Sequence, residues 1–313
     1  MDRIIVIVGP TASGKTRLSV ALAKALSGEV ISADSMQLYR GMDIGTAKVT
    51  AEEMDGVRHH MIDVAEPEEA FSAARYVGMA DPVLQDILSR GKTAVIAGGT
   101  GLYVDALIQG RTFAPYPSTG RREALEREAD QKGMAAMLER LYQVDPDSAR
   151  RLHSADRKRI LRALEVYEET GKTITQHNRE TRMVPDKYQP VWLGLDFTHR
   201  ADLYDRIDRR VEQMLAQGLL TEIRSLLDRG VPRDCTAMQA IGYKEFFPVL
   251  DGSGDLQSAI DTVKQESRRY AKRQLTWFRR NKRIHWIYQT APPDFAQVLA
   301  EALSQIHFFD GRM

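Results

Sequence analysis

Lys15 and Thr16 close the octet GPTASGKT, Gly9 to Thr16, in which two glycines bracket four residues ahead of a lysine and a hydroxyl. Glycines at that spacing let the backbone curl until successive N–H groups converge, and a helix N-terminus behind them adds partial positive charge. The strand-like run Arg3 to Val8 precedes the octet and the helix-compatible run Arg17 to Leu26 follows it, which is the context that gives the motif meaning. The expected guest is a di- or triphosphate held by Gly9, Thr11, Ala12, Ser13 and Gly14. Lys15 would reach the terminal phosphates and the Thr16 hydroxyl would help hold Mg²⁺. A chance match in a Gly/Ser turn is the bland alternative, and the flanking elements count against it.

Asp34 ends a second strand-like run, Glu29 to Ala33, expected to neighbour the P-loop strand. Ligands of open α/β sheets bind at that end of the strands. A carboxylate there has three uses: an outer-sphere partner for Mg²⁺, a general base toward an acceptor, or a cap for the turn Ser35 to Leu38. A third element weighs against the cap alone. The run Thr93 to Ala97 breaks into Gly98-Gly99-Thr100-Gly101, where a hydroxyl residue again opens a helix. A phosphate cradle, a carboxylate and a hydroxyl at one sheet edge describe a reaction site.

The elements that must hold these groups alternate strand with helix, which predicts an α/β fold with a P-loop NTPase-like parallel sheet. Further strands are expected at His60 to Val64, Val191 to Asp196 and Arg283 to Tyr288, and helices at Ser72 to Ser89 and Pro293 to Ile306. From Thr112 to about Pro190 the chain is charged and helical in pattern, with Pro115 and Pro117 before it and Pro185 and Pro190 after it. An all-helical insertion domain over 112–190 is expected, inside a core made of 1–111 and 191–313. A length of 313 residues fits two domains, and 43% hydrophobic residues provide a sizeable core.

A formal net charge of +1 excludes a uniformly basic nucleic-acid binder but hides segregation along the chain. Ser267 to Arg283 (SRRYAKRQLTWFRRNKR) holds eight Lys/Arg and no acid, with Tyr270, Trp277 and Phe278 interleaved. Arg150 to Arg162 holds six more against Asp156. Solvated helix faces normally mix signs, so one-signed runs point to an anionic partner, and RNA fits both phosphates and unstacked bases. The aromatics at helical spacing are expected to be packed more than base-stacking. One cysteine, Cys235, allows no intramolecular disulfide and fits a reducing cytoplasm. The first apolar run is too short for a signal peptide, no stretch reaches transmembrane length, and no heptad seam argues against a monomer. The histidines lack metal-ligand spacing.

Taken in order, GPTASGKT, ISADSMQLYRGMDIGTAK, AGGTGLYVDALIQG, DRKRILRALEVYEETGK, RIDRRVEQMLAQGLLTEI, AIGYKE and RRYAKRQLTWFRR resemble the bacterial tRNA dimethylallyltransferases from end to end. The P-loop alone is widely shared, whereas the second and last motifs in this order are specific. The resemblance implies transfer of a dimethylallyl group from dimethylallyl diphosphate to N6 of adenosine 37, beside the anticodon. The P-loop would then hold the donor's diphosphate, with Mg²⁺, and no phosphoryl transfer would occur.

The resemblance also assigns residues. Lys15, Thr16 and Arg210 fall to the diphosphate, Asp34 to the general base, and Thr100 to aligning the amine and the bridging oxygen. Asp34, Ser35, Met36, Gln37 and Thr100 would line the meeting point of donor and extruded base, which approach through a tunnel from opposite ends. Arg122, the run Lys158, Arg159, Ile160, Leu161 and Arg162, and the run Ala240, Ile241, Gly242, Tyr243, Lys244 and Glu245 would contact the anticodon stem-loop. Two rivals stay open on the residues alone. A P-loop kinase of a small metabolite or nucleotide would use Arg121 to Arg162 as a lid, but leaves the run at Ser267 to Arg283 unused. A nucleotide-switched RNA binder would need a Walker-B strand, and none is evident. The cousin that modifies free adenine nucleotides shares the front motifs and would not need RRYAKRQLTWFRR.

Overall fold

The computed structural model describes residues 4–110, 119–183 and 185–310. Pro115 and Pro117, and the start of the insertion expected at Thr112, lie outside them. The chain divides into two compact units, residues 1–110 with 187–313, and residues 111–186. The larger unit is a six-stranded sheet in which every pairing is parallel.

Elements run β1 (Ile4–Val8), α1 (Lys15–Ala25), β2 (Glu29–Ser32), α2 (Ala51–Met54), β3 (His59–His60), α3 (Ala73–Ser89), β4 (Ala94–Gly98) and α4 (Gly101–Gln109). The smaller unit supplies α5 (Arg121–Val144), α6 (Pro146–Ala149), α7 (Arg157–Thr170) and α8 (Ile174–Met183). The larger unit then resumes with β5 (Val191–Phe197), α9 (Arg200–Ala216), α10 (Leu219–Asp228), α11 (Phe247–Leu250), α12 (Leu256–Phe278), β6 (His285–Gln289) and α13 (Phe295–Asp310).

Alternation along β1 explains why both sheet faces are covered. Ile4, Val6 and Val8 join the core beneath α3 and α4, with Tyr76, Leu84, Val104 and Leu107. Ile5 and Ile7 face the other way, into a core with Leu18 and Leu22 of α1 and Val298, Ala302 and Ile306 of α13. Strands buried on both faces read as continuous apolar runs, as IIVIV does.

Strand order is β3-β2-β4-β1-β5-β6. Contrary to the expectation that they would be neighbours, the strand leading to Asp34 is therefore not next to the P-loop strand; β4 lies between them. At the usual spacing of parallel strands this separates the P-loop from Asp34 by about 10 Å, with the Thr100 turn in the gap. The third strand is also shorter than the expected His60 to Val64. It ends at His60 because Met61 and Asp63 take positive φ of 61° and 54°, which no strand accommodates.

All elements of the smaller unit among its described residues are helices, around a core of Leu125, Met137, Leu141, Ile160, Leu161 and Leu164. Asp145 binds its turns together, accepting from the Ser148 and Thr175 amides and the Thr175 hydroxyl. No helix among the described residues is long and apolar enough to cross a membrane.

Candidate active site

The C-terminal ends of β1, β4 and β2 carry the P-loop, Thr100 and Asp34 respectively. Gly14 caps α1 with a left-handed backbone (φ 91°), and Ala12 is also left-handed at 62°. A Cβ on Gly9 would lie 2.4 Å from the Leu195 carbonyl oxygen, so only glycine lets the loop pass this close to β5. The Thr16 hydroxyl stands in the first turn of α1, beside the helix's unpaired amides.

Side chains from the C-terminal half of the chain hold three consecutive loop residues. The Thr11 amide donates to Gln274 Oε1 at 2.8 Å, Arg206 Nε to the Ala12 carbonyl at 2.9 Å, and Gln289 Nε2 to the Ser13 carbonyl at 3.0 Å. The Thr11 amide is thus occupied within the protein, and the amides left to a phosphate are those leading into α1. Ser13 Oγ is buried without a hydrogen-bond partner, a polar atom that an anion in the loop would satisfy.

Lys15 folds back under the loop, donating to the carbonyls of Gly9 at 3.0 Å and Pro10 at 2.6 Å. Burial pushes its ammonium down to about 7, against the opposing pull of Asp34, and Arg210 lowers it further. Burial likewise lowers Arg210, which donates to the Ala47 carbonyl at 3.4 Å. Arg206, one turn earlier on α9, is also lowered, first by burial and then by Arg209. Lys15 and Arg210, both desolvated and both within the field of Asp34, with Arg206 one turn away, describe a site suited to an anion.

Asp34 is half-buried, and its Oδ1 accepts from the Met36 amide at 2.9 Å. The cap expected as an alternative use is therefore real, but it occupies one oxygen and leaves the other for a proton. Thr100 does the reverse of capping. Its side chain makes no cap bond to α4; instead Oγ1 accepts from the Ser35 amide at 3.0 Å and donates to the Ser35 hydroxyl at 3.3 Å. Gln37 turns its amide onto the Ala47 carbonyl at 3.1 Å, closing the loop around Asp34. Glu222 secures that loop, accepting the amides of Asp43, Ile44 and Gly45 and the Tyr243 hydroxyl.

Other residues expected to meet RNA divide by burial. Lys158, Arg159 and Arg162 are exposed and Arg122 is half-buried. Arg122 pairs with Glu126 at 2.8 Å, Arg162 with Glu165 at 2.7 Å and Arg159 with Asp156 at 3.8 Å. The exposed Arg162 and Arg159 pairs contribute about 0–1 kcal/mol, so they are easily exchanged for another anion. Ile160 and Leu161 are fully buried in the helical unit and cannot offer side chains to a partner. Tyr243 is also fully buried, with its hydroxyl on Glu222, and Gly242 is buried beside it. Ala240 and Ile241 are half-buried, and Glu245 accepts from the Gly242 amide, so Lys244 is that segment's exposed cation.

The basic run at Ser267 to Arg283 forms most of the last half of α12 and has two faces. Lys272, Arg273, Arg280 and Lys282 are exposed. Phe278 is in the core, and Trp277 donates Nε1 to Asp105 at 2.9 Å with its ring against Gly101. Burial first, then Asp34, pushes the Tyr270 phenol up to about 12, against the opposing effects of Thr100, Arg273 and Gln274 nearby. Sequence reasoning passed over Gln274. The one signal for it was an uncharged amide in a basic run, on the same helical face as Tyr270 and Trp277.

Among the described residues no group of three or more His, Cys, Asp or Glu is arranged to hold a metal ion. A Mg²⁺ here would depend on the Thr16 hydroxyl and on oxygens of a bound diphosphate, a donor set that suits that ion.

A model of the IPP transferase family matches residues 37–281. A tRNA dimethylallyltransferase of Halalkalibacterium halodurans is 49% identical over 290 residues, covering 92% of each chain. One from Geobacillus thermodenitrificans is 48% identical over 307 residues, 97% of this chain and 96% of the relative. Among solved structures, the full-length tRNA isopentenylpyrophosphate transferase of Bacillus halodurans superposes with a TM-score of 0.73 at 46% identity, covering 99% of this chain and 96% of that one. A eukaryotic dimethylallyltransferase acting on tRNA gives 0.80 at 30% identity, covering 95% of this chain and 75% of that one. With its matched segment running from the Asp34 loop to the end of α12, the chain belongs to the IPP transferase family.

Proposed function

We propose that this protein transfers a dimethylallyl group from dimethylallyl diphosphate to N6 of adenosine 37 in tRNA, releasing diphosphate. The observation that carries the reading is the turn of Thr100 away from its own helix, toward Ser35, between the phosphate cradle and the carboxylate. The names of the relatives, tRNA dimethylallyltransferases, support the same chemistry.

The exocyclic amine is a weak nucleophile because its lone pair is delocalised into the ring, while an allylic carbon is a good electrophile once its diphosphate can leave. As the N6–carbon bond forms and the carbon–oxygen bond breaks, the leaving oxygen gains charge and the nitrogen must lose a proton. Lys15, Arg210 and the first amides of α1 stabilise the leaving group. A diphosphate would restore full charge to a Lys15 that burial, helped by Arg210 and opposed by Asp34, holds near 7. Mg²⁺, held by Thr16 and the diphosphate, would neutralise further charge on the leaving oxygens. Asp34 accepts the proton through the oxygen not engaged by Met36. The Thr100 hydroxyl aligns the two reactants, which a near-attack geometry of about 3–3.5 Å demands. Extruding a stacked adenosine costs a few kcal/mol, and the exposed cations Lys158, Arg159, Arg162, Lys244, Lys272 and Arg273 supply phosphate contacts that offset it.

Pyrophosphate release measured with donor alone, unmodified tRNA alone and both together tests the reading. Release that needs both supports it; consumption of ATP in place of the allylic donor would favour a P-loop kinase.

A further inference from the structure

Among the described residues, three side chains from the C-terminal half of the chain grip the P-loop backbone, and one of them does more than grip it. Arg206 and Gln289 each donate a single bond to one loop carbonyl. Gln274 uses both ends of its amide. Oε1 accepts from the Thr11 amide at 2.8 Å, and Nε2 donates to the Gly99 carbonyl at 3.1 Å, the residue before Thr100. The amide is buried, at 5% exposure, and its orientation follows from the Thr11 N–H, which needs an acceptor. Tyr270, one turn earlier on α12, lies near both Gln274 and Thr100. Gly99 is shaped for this contact: a Cβ there would stand 2.0 Å from Gln274 Nε2. Of the common side chains of this length, only an amide both accepts from a backbone N–H and donates to a backbone carbonyl. A carboxylate cannot donate, and a thioether does neither well.

We propose that Gln274 is a positioning residue that sets the spacing between the phosphate cradle and the Thr100 hydroxyl. Resting on the transfer reaction above, this makes Gln274 the strut that fixes the line along which the allylic carbon passes from diphosphate to amine. It acts through Thr11 and through the Gly99–Thr100 turn, and it touches neither reactant. Misplacing reacting groups by about 1 Å costs roughly 10²-fold in rate. The β1 and β4 strand ends carry the two elements separately, and the Gln274 amide ties them across 263 residues of chain on one side and 175 on the other.

Gln274→Met keeps the length and volume of the side chain and removes both bonds. Gly99→Ala displaces the amide from the other side while leaving Gln274 in place, and serves if the first variant fails to fold in a thermal melt. Either variant, as the full chain, is expected to weaken binding of inorganic pyrophosphate about tenfold and lower the single-turnover rate on tRNA about 10²-fold, with tRNA affinity unchanged. Thr100→Ala combined with Gln274→Met should be no slower than Thr100→Ala alone, within about threefold, because residues acting as a unit are not additive. Losses that multiply would overturn the proposal, since a brace of merely structural value slows either background equally. Unchanged pyrophosphate affinity in both single variants would overturn it whatever reaction the protein catalyses. A wild-type protein that binds pyrophosphate but makes no prenylated nucleoside would remove the transfer reading, with the affinity arm still deciding the clamp.

Discussion

Thr100 Oγ1 lies 3.0 Å from the Ser35 amide, so the hydroxyl that opens α4 is spent on the turn carrying Asp34 and not on its own helix. The bond joins the end of β4 to the end of β2 and places an O–H between the phosphate cradle and the carboxylate. A hydroxyl shared in this way is oriented before any substrate arrives, which is what an aligning group requires.

Thr100→Ser is expected to keep most activity and Thr100→Val to lose about 10- to 10²-fold in single-turnover rate, the worth of one to two hydrogen bonds. Binding of pyrophosphate and of tRNA should stay near wild type in both. Equal rates for Ser and Val would show that the hydroxyl does not act in the reaction.

Asp34→Asn preserves the acceptor for the Met36 amide and removes the proton acceptor. Turnover should fall about 10²- to 10⁴-fold while tRNA affinity, measured by filter binding, changes less than about threefold. A parallel loss of affinity would instead make Asp34 a structural turn residue.

At the opposite end of β2 from Asp34, the buried Glu29 carboxylate accepts from Arg90 at 2.5 and 3.0 Å, from Lys92 at 2.7 Å and contacts His60 at 2.8 Å. Arg90 first, and then Lys92 and His60, hold its carboxyl far below the usual carboxylate range against the opposing effect of burial. With the folded value depressed, the stabilisation is complete above the unfolded value and is lost as pH falls toward the folded one. The melting temperature should therefore drop progressively below about pH 4.5. Glu29→Gln should cost about 1–3 kcal/mol near neutrality and flatten that dependence, read from melts across the acid range.

Affinity for tRNA should fall as salt rises, with a log–log slope that Lys158→Glu or Arg159→Glu makes shallower by about 1 each. Single-turnover rates at saturating protein should be preserved in both. A slope that neither substitution alters would place the RNA elsewhere than on this face of α7.

The parts of the fold that were legible in the sequence are those whose shape is set locally. GPTASGKT specifies its own loop through Gly9 and Gly14, and IIVIV specifies a strand buried on two faces. What stayed hidden depends on distant pairs. Strand order departs from expectation because nothing in Glu29 to Ala33 says that β4, far along the chain, will insert beside β1. The third strand stops early for backbone reasons at Met61 and Asp63 that residue types do not advertise. Ile160, Leu161 and Tyr243 lie within motifs expected to face RNA, yet helical period and the Glu222 hydrogen bond turn them inward. Gln274 lies in a run read for its charge, while its amide serves partners at the other end of the chain.

The most direct measurement is nucleoside mass analysis of unmodified tRNA, digested to locate the product, after incubation with the protein, Mg²⁺ and dimethylallyl diphosphate. The account predicts one added dimethylallyl group on N6 of adenosine 37, absent when ATP replaces the donor and nearly absent with Asp34→Asn. A dimethylallyl group on another nucleotide, or none with ATP consumed instead, would contradict it.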